Sequence, residues 1–200
     1  MTAPSKRPNF TGATTVVAVL LGVMWIVELV NQFLFRDQLD YLGIQPRSEV
    51  GLRGLLFAPF LHADFAHLIS NTVPFAVLSF LIALRSLLRF AAVTLSVMFG
   101  GGFAVWLTAP SNTIHLGASL LVFGYLGYLL ASGWYERSTS AVVVGVLVLL
   151  VYGSLLWGVL PIVPGVSWQS HLFGFLAGLL AARLLARRRA SNPYTNRPLS

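Results

Sequence analysis

The chain has 200 residues and no cysteine; 56% of it is hydrophobic and only 10% is charged, against about 25% charged in a soluble domain. That leaves too little polar surface to face water, which excludes a soluble globular enzyme, and the lack of thiols excludes disulfides, cysteine nucleophiles and cysteine metal sites. The net charge of +7 does not point to nucleic acid, because the basic residues gather at the ends of apolar runs, as Arg187, Arg188 and Arg189 do; a membrane protein uses such residues to set its orientation and to meet anionic headgroups.

Residues 1–13 read as a polar tail with Lys6 and Arg7. The apolar run that follows is too long for a signal peptide and suits a spanning helix. Six spans are expected, at 14–35, 66–84, 90–109, 117–134, 141–160 and 168–186, so that 14–187 forms one all-α membrane domain, and 188–200 is a polar, proline-containing tail expected to be disordered. Glu28, two-thirds along the first span, is costly in lipid and is expected to hydrogen-bond the first loop. The second and fourth spans are the least apolar. Their early turns hold His67, Ser70, Asn71 and Ser119, which should face the protein interior.

An even number of spans puts both termini on one side, and positive charge chooses the side. With the termini inside, Lys6, Arg7, Arg85, Arg89, Arg137, Arg183, Arg187, Arg188, Arg189 and Arg197 are internal, against Arg36, Arg47 and Arg53 outside. Both termini are therefore expected to be cytoplasmic. Spans two, four and six then start at the outer face, and their first turns bring His67 with Asn71, Ser119, and His171 to one depth.

His67 and Asn71 are four apart, on one helix face. Ser119 follows Gly117 and Ala118 at a helix start, where free N–H groups and the positive end of the dipole would stabilise an oxyanion. From His171, Gly174, Gly178 and Ala182 form a small-residue stripe, and Gly124, Gly127 and Ala131 form another on the fourth span; two such stripes let helix backbones approach closely and would bring Ser119 to His171. Taken singly, each feature has a plainer explanation. A membrane serine back-bonds its own helix, a histidine near a helix end sits at the interface, and a His/Asn pair or a glycine stripe packs helices.

Together these residues resemble the rhomboid family of intramembrane serine proteases, in three blocks: His62 to Asn71, including His67; Gly117-Ala118-Ser119 with Phe123, Gly124 and Gly127; and His171 with Gly174 and Gly178. The resemblance spans about residues 14–186 and implies a six-transmembrane-helix bundle with a membrane-embedded first loop, about 36–65. It implies Ser119 as nucleophile and His171 as base, and an oxyanion hole from the Ser119 N–H, His67 and Asn71. Phe123 would pack on the base histidine, no cofactor or metal is needed, and the substrates would be transmembrane segments of proteins in the same cell membrane. Arg53 matches the arginine of the family's first loop and is read as bracing that loop or meeting lipid headgroups, although Leu52 stands where tryptophan is common. The loop holding Pro161, Pro164, Gly165 and Ser167 resembles the family's cap over the site. One departure is Leu120, where the family has glycine directly after the serine; a branched side chain there would narrow the site or shift the oxyanion-hole backbone. The departure motivates an alternative, a catalytically silent rhomboid-like protein that binds membrane clients. A proton-conducting transporter using His67, His171 and Glu28 would instead show paired helical repeats, and no internal repeat is visible.

Overall fold

The computed structural model describes residues 9–162 and 165–190. Most of the two expected tails, with Lys6, Arg7 and Arg197, lies outside the described residues, as do Pro164 and the side chains of Arg187, Arg188 and Arg189. Six long helices follow one another: α1 (Phe10–Phe35), α2 (Phe65–Arg85), α3 (Leu87–Thr108), α4 (Ser119–Glu136), α5 (Thr139–Val159) and α6 (Trp168–Ala190). The described residues contain no strand, only an isolated antiparallel bridge between Ile44 and His115.

Local chemistry sets the helix ends. The first helix starts four residues before the expected position because Asn9 caps it, its side-chain oxygen accepting from the Gly12 N–H at 2.8 Å. Asp64 caps α2 by accepting from the His67 N–H at 2.7 Å. Ser86 caps α3 through the Arg89 N–H at 3.3 Å. The last turns of α1 widen into a π-helix at Asn31–Phe35. There Asn31 donates to Asp40 at 2.8 Å and accepts from the Leu39 N–H at 2.9 Å, which stitches the helix end to the first loop.

That loop is a chain of short helical turns, Gln38–Leu42, Val50–Arg53, Gly54–Phe57 and Ala58–Phe60. Arg53 donates to the Tyr41 carbonyl at 2.9 Å, bracing the loop internally. Arg47 reaches across to the end of α3 and donates to the carbonyls of Leu107 (3.1 Å) and Ala109 (2.7 Å). A cation there satisfies carbonyls that a helix end leaves free.

Five of the helices are long and apolar enough to cross a membrane; α4 is not among them. The reason is its position. Every residue from Ser119 to Leu129 is buried by the surrounding helices, so α4 meets protein where the others meet lipid, and its Ser119, Tyr125 and Tyr128 need not be apolar. Its hydroxyls find partners inside, as Tyr125 does with Thr94 of α3 at 2.9 Å. The fold is that of a multi-pass, all-helical membrane protein built around this central helix.

The two small-residue stripes meet. A Cβ at Gly174 would press on the backbone of Leu120, one at Gly178 on the backbone of Gly124 and Tyr128, and one at Gly127 on the backbone of Phe175. Helices α4 and α6 therefore touch backbone to backbone. Gly124 itself faces the Val97 side chain of α3, so α4 is wedged between α3 and α6.

Candidate active site

The starts of α2, α4 and α6 and the end of α5 surround one cavity of about 740 Å³. His67, Asn71, Ser119, Phe123, Gly158 and His171 line it together with Ser70, His115 and Ser167. The structure thus brings together the five side chains expected at the site, from three helices.

Ser119 is the first residue of α4 and is 8% exposed. Its N–H belongs to the first turn, which has no carbonyl one turn earlier in the helix. The turn before it is shaped by Gly117, whose φ of +112° is closed to most side chains. A Cβ at Gly117 would also sit 2.6 Å from Cε1 and 2.8 Å from Nε2 of His67. Glycine is therefore needed twice, for the backbone turn and for the approach of the His67 ring. The Gly117 N–H donates to the Ala58 carbonyl at 2.9 Å and the Ala118 N–H to His62 Nε2 at 3.3 Å. The first loop thus uses up the two N–H groups before Ser119.

His171 is held from two sides. Its ring lies on Phe123 with centroids 4.0 Å apart and planes 7° apart. Its Nδ1 lies 2.8 Å from the Gly158 carbonyl. A carbonyl can only accept, so Nδ1 carries the proton, and Nε2 of the neutral ring keeps its lone pair. No carboxylate is involved. Gly158 is glycine for a reason of space, since a Cβ there would come within 2.9 Å of the Phe123 ring and 3.1 Å of His171 Nδ1. Ser119 and His171 share the cavity with no direct hydrogen bond between them, a common condition before substrate binds. Asn71 donates one amide hydrogen to the His67 carbonyl at 3.0 Å, which leaves its second for a partner in the cavity.

Leu120 does not line the cavity. It is 4% exposed and packs on α3, where a Cβ at Gly101 would be 3.3 Å from its Cδ1 and one at Gly102 3.8 Å from its Cδ2. The branched side chain thus occupies space that Gly101 and Gly102 leave open. Leu120→Gly is expected to leave the site's rate unimproved. It should destabilise the fold by about 3–5 kcal/mol, from the packing void plus the cost of a helical glycine, read as a lowered thermal midpoint in detergent.

Reading the sequence missed three contributors. Gly158 acts through its backbone, so no side chain marked it. His115 stood in a loop and Ser167 was placed only in the cap segment. His62, fully buried, was noticed as part of a motif, but its job as acceptor for the Ala118 N–H was not. Glu28 lies against the backbone of His62, away from the cavity, with Oε2 unpartnered.

Two loop histidines make the fold acid-sensitive. Burial pushes His62 down to about 3, with the neighbouring His67 adding to it, and pushes His115 down to about 4. In the unfolded chain both titrate near 6.5. Below that value the unfolded state binds the protons and the folded state does not. The stability from neutral burial is therefore complete above about 6.5 and is lost as pH falls toward the folded values, by up to about 1.4 kcal/mol per pH unit for each ring. Thermal unfolding in detergent should show a midpoint well below the neutral one at about pH 4.5, and His62→Gln should shrink the difference.

A match to the model of the Rhomboid domain covers residues 50–188. An uncharacterized protein of Mycobacterium tuberculosis is 41% identical over 193 residues, covering 92% of this chain and 80% of that protein. The RHOMBOID-like protein 4 of Arabidopsis thaliana is 33% identical over 142 residues, 67% of this chain and 34% of that protein. A Bacillus subtilis protein provisionally named a rhomboid protease is 25% identical over 186 residues, 88% of this chain and 89% of that protein. With its multi-pass helical fold and this match over most of its length, the chain belongs to the rhomboid family.

Proposed function

We propose that the chain is an intramembrane serine endopeptidase that cuts transmembrane segments of other membrane proteins near the outer face of the cell membrane. Ser119 Oγ attacks the scissile carbonyl and His171 Nε2 takes its proton; the Gly158 carbonyl and the Phe123 ring hold the imidazole in the orientation that leaves Nε2 free. The oxyanion is met by the Ser119 N–H and by the side chains of His67 and Asn71, a donor of this kind contributing about 3–4 kcal/mol in the transition state. His171 then gives the proton to the leaving amine, and a water activated by the same nitrogen releases the acyl group. The cavity supplies that water where lipid would exclude it. A helical substrate must unwind locally, because its carbonyls are otherwise occupied.

The observation that carries this reading is a doubly held His171 in the same cavity as a helix-first Ser119. In this reading α4, about 27 Å long at 1.5 Å per residue, also spans the membrane, as the fourth of six, and both termini are cytoplasmic. Leu56 and Phe57, 50% and 43% exposed on the first loop, support seating that loop in the bilayer. Leu120 packs away from the cavity, so its side chain does not narrow the site as the client-binding alternative would have it. The test is the purified protein in lipid with a fluorescent transmembrane substrate. Cleavage by the wild type and none by Ser119→Ala supports the peptidase; no cleavage of several substrates, with no fluorophosphonate labelling of Ser119, overturns it in favour of client binding.

A further inference from the structure

His115 and Ser167 meet across the cavity. His115 Nδ1 lies 2.6 Å from Ser167 Oγ, and both residues line the cavity wall. Their places in the chain give this contact its meaning. His115 lies four residues before Ser119, and Ser167 lies four residues before His171. Each belongs to the segment that leads into one of the two helices carrying the reactive pair. A bond between the leaders is a bond between the starts of α4 and α6, at the end of the helix pair where Ser119 and His171 sit.

Both ends of the contact are anchored. The backbone of His115 exchanges two hydrogen bonds with Ile44 of the first loop, at 2.9 Å and 2.8 Å. Its Nε2 lies 2.8 Å from Thr113 Oγ1, and that hydroxyl donates to the Pro110 carbonyl at 2.6 Å. Thr113 and Ser167 thus hold the His115 ring from its two nitrogens. On the other side, Ser167 Oγ accepts from the Ser170 N–H at 3.2 Å and its hydroxyl donates to Ser170 Oγ at 2.7 Å, while the Ser167 carbonyl accepts from the His171 N–H at 3.3 Å. Ser167 is therefore built into the first turn of α6, next to His171. His115 is 5% exposed and Ser167 is half-buried.

The glycine contacts hold α4 and α6 together from Gly174 on Leu120 onward. The directional bond between their leaders extends that hold to the segments ahead of Ser119 and His171. We propose that His115 is a positioning residue, strapped to Ser167 so as to set the separation of Ser119 and His171. The inference rests on the peptidase reading of those two residues. His115 touches neither reacting atom and acts through the helix starts.

The test uses the full chain in detergent and follows the rate at which a fluorescent fluorophosphonate labels Ser119, alongside the thermal midpoint. An asparagine amide reaches the position of Nδ1, and a glutamine amide reaches that of Nε2. His115→Asn keeps the link to Ser167 and loses Thr113; His115→Gln does the reverse. The expected result is labelling near the wild-type rate for His115→Asn and a fall of about tenfold or more for His115→Gln, since small misplacements of reacting groups are costly. Ser167→Ala should fall similarly, and Ser167→Ala combined with His115→Gln should be no slower than either alone, the mark of one shared interaction. Equal labelling by the Gln and Asn variants, whether fast or slow, overturns the strap, as does strictly additive loss in the double variant. If His115→Gln does not fold, Ser167→Ala against Ser167→Thr, which keeps the hydroxyl, decides the matter by the same readout. A wild type that is not labelled at all overturns the peptidase reading, and the positioning role with it.

Discussion

Ser119→Ala and His171→Ala are each expected to reduce cleavage of a transmembrane substrate by about 10⁴-fold or more, because residues that act as one unit fail together. The double variant should be no worse than either single one. The two losses differ in kind: Ser119→Ala removes the atom that a fluorophosphonate labels, whereas His171→Ala leaves the serine but takes away the base. Labelling should vanish in the first and slow sharply in the second. His171 has no carboxylate to hold it, so its orientation depends on the Phe123 stack and on the Gly158 carbonyl. A His171 variant that cleaves at the wild-type rate would show that the proton goes elsewhere and would remove the dyad from the account.

The second large effect is on the fold. Gly178→Val is expected to destabilise the protein by about 3 kcal/mol or more, since overpacking that cannot relax lies at the upper end of its usual range. A Cβ at Gly178 would overlap the Gly124 carbonyl and approach Gly124 C at 2.8 Å and Tyr128 N at 2.9 Å. These are backbone atoms of a buried helix, which cannot swing aside as a side chain would. The helices would have to separate, and because Ser119 is on α4 and His171 on α6, activity should fall along with stability. Gly100→Ala is the control. A Cβ there meets nothing within 4 Å, and replacing a helical glycine by alanine should leave the midpoint unchanged or raise it slightly, by at most about 1 kcal/mol. Thermal midpoints of the two variants in the same detergent check the contrast; similar values would mean that the α4–α6 contact is looser than the geometry indicates.

Much of this could be read along the chain, for reasons that lie in the residues themselves. A run of apolar side chains long enough to cross a bilayer is a property of composition, so most of the helices were legible, with ends displaced by a few residues where a cap such as Asn9 intervened. The glycine and alanine stripes on α4 and α6 have helical periodicity, so the faces that would meet were visible before the meeting was. His67, Asn71, Ser119, Phe123 and His171 stood out because polar or aromatic residues at helix starts, in motif spacing, are conspicuous in an apolar chain.

What the tertiary structure alone decided falls into two kinds. The first is position: the polar early turn of α4 pointed to the interior, but only the packing shows that every residue from Ser119 to Leu129 is enclosed by protein. Leu120 belongs here too. Read along the chain it threatens the site, and only the packing on Gly101 and Gly102 of α3 shows where its volume goes. The second is contact made through backbone, or by ordinary loop residues far apart in sequence. The Gly158 carbonyl on His171, the Ala118 N–H on His62 and the His115–Ser167 bond join segments 13, 56 and 52 residues apart. A carbonyl or an N–H is the same at every position, so the sequence carries no mark of which one is used; folding selects it. The sequence by itself determined a membrane bundle and the residues able to do chemistry. The structure decided how the His171 ring is held, that the N–H groups of Gly117 and Ala118 are already used, and that His115 meets Ser167.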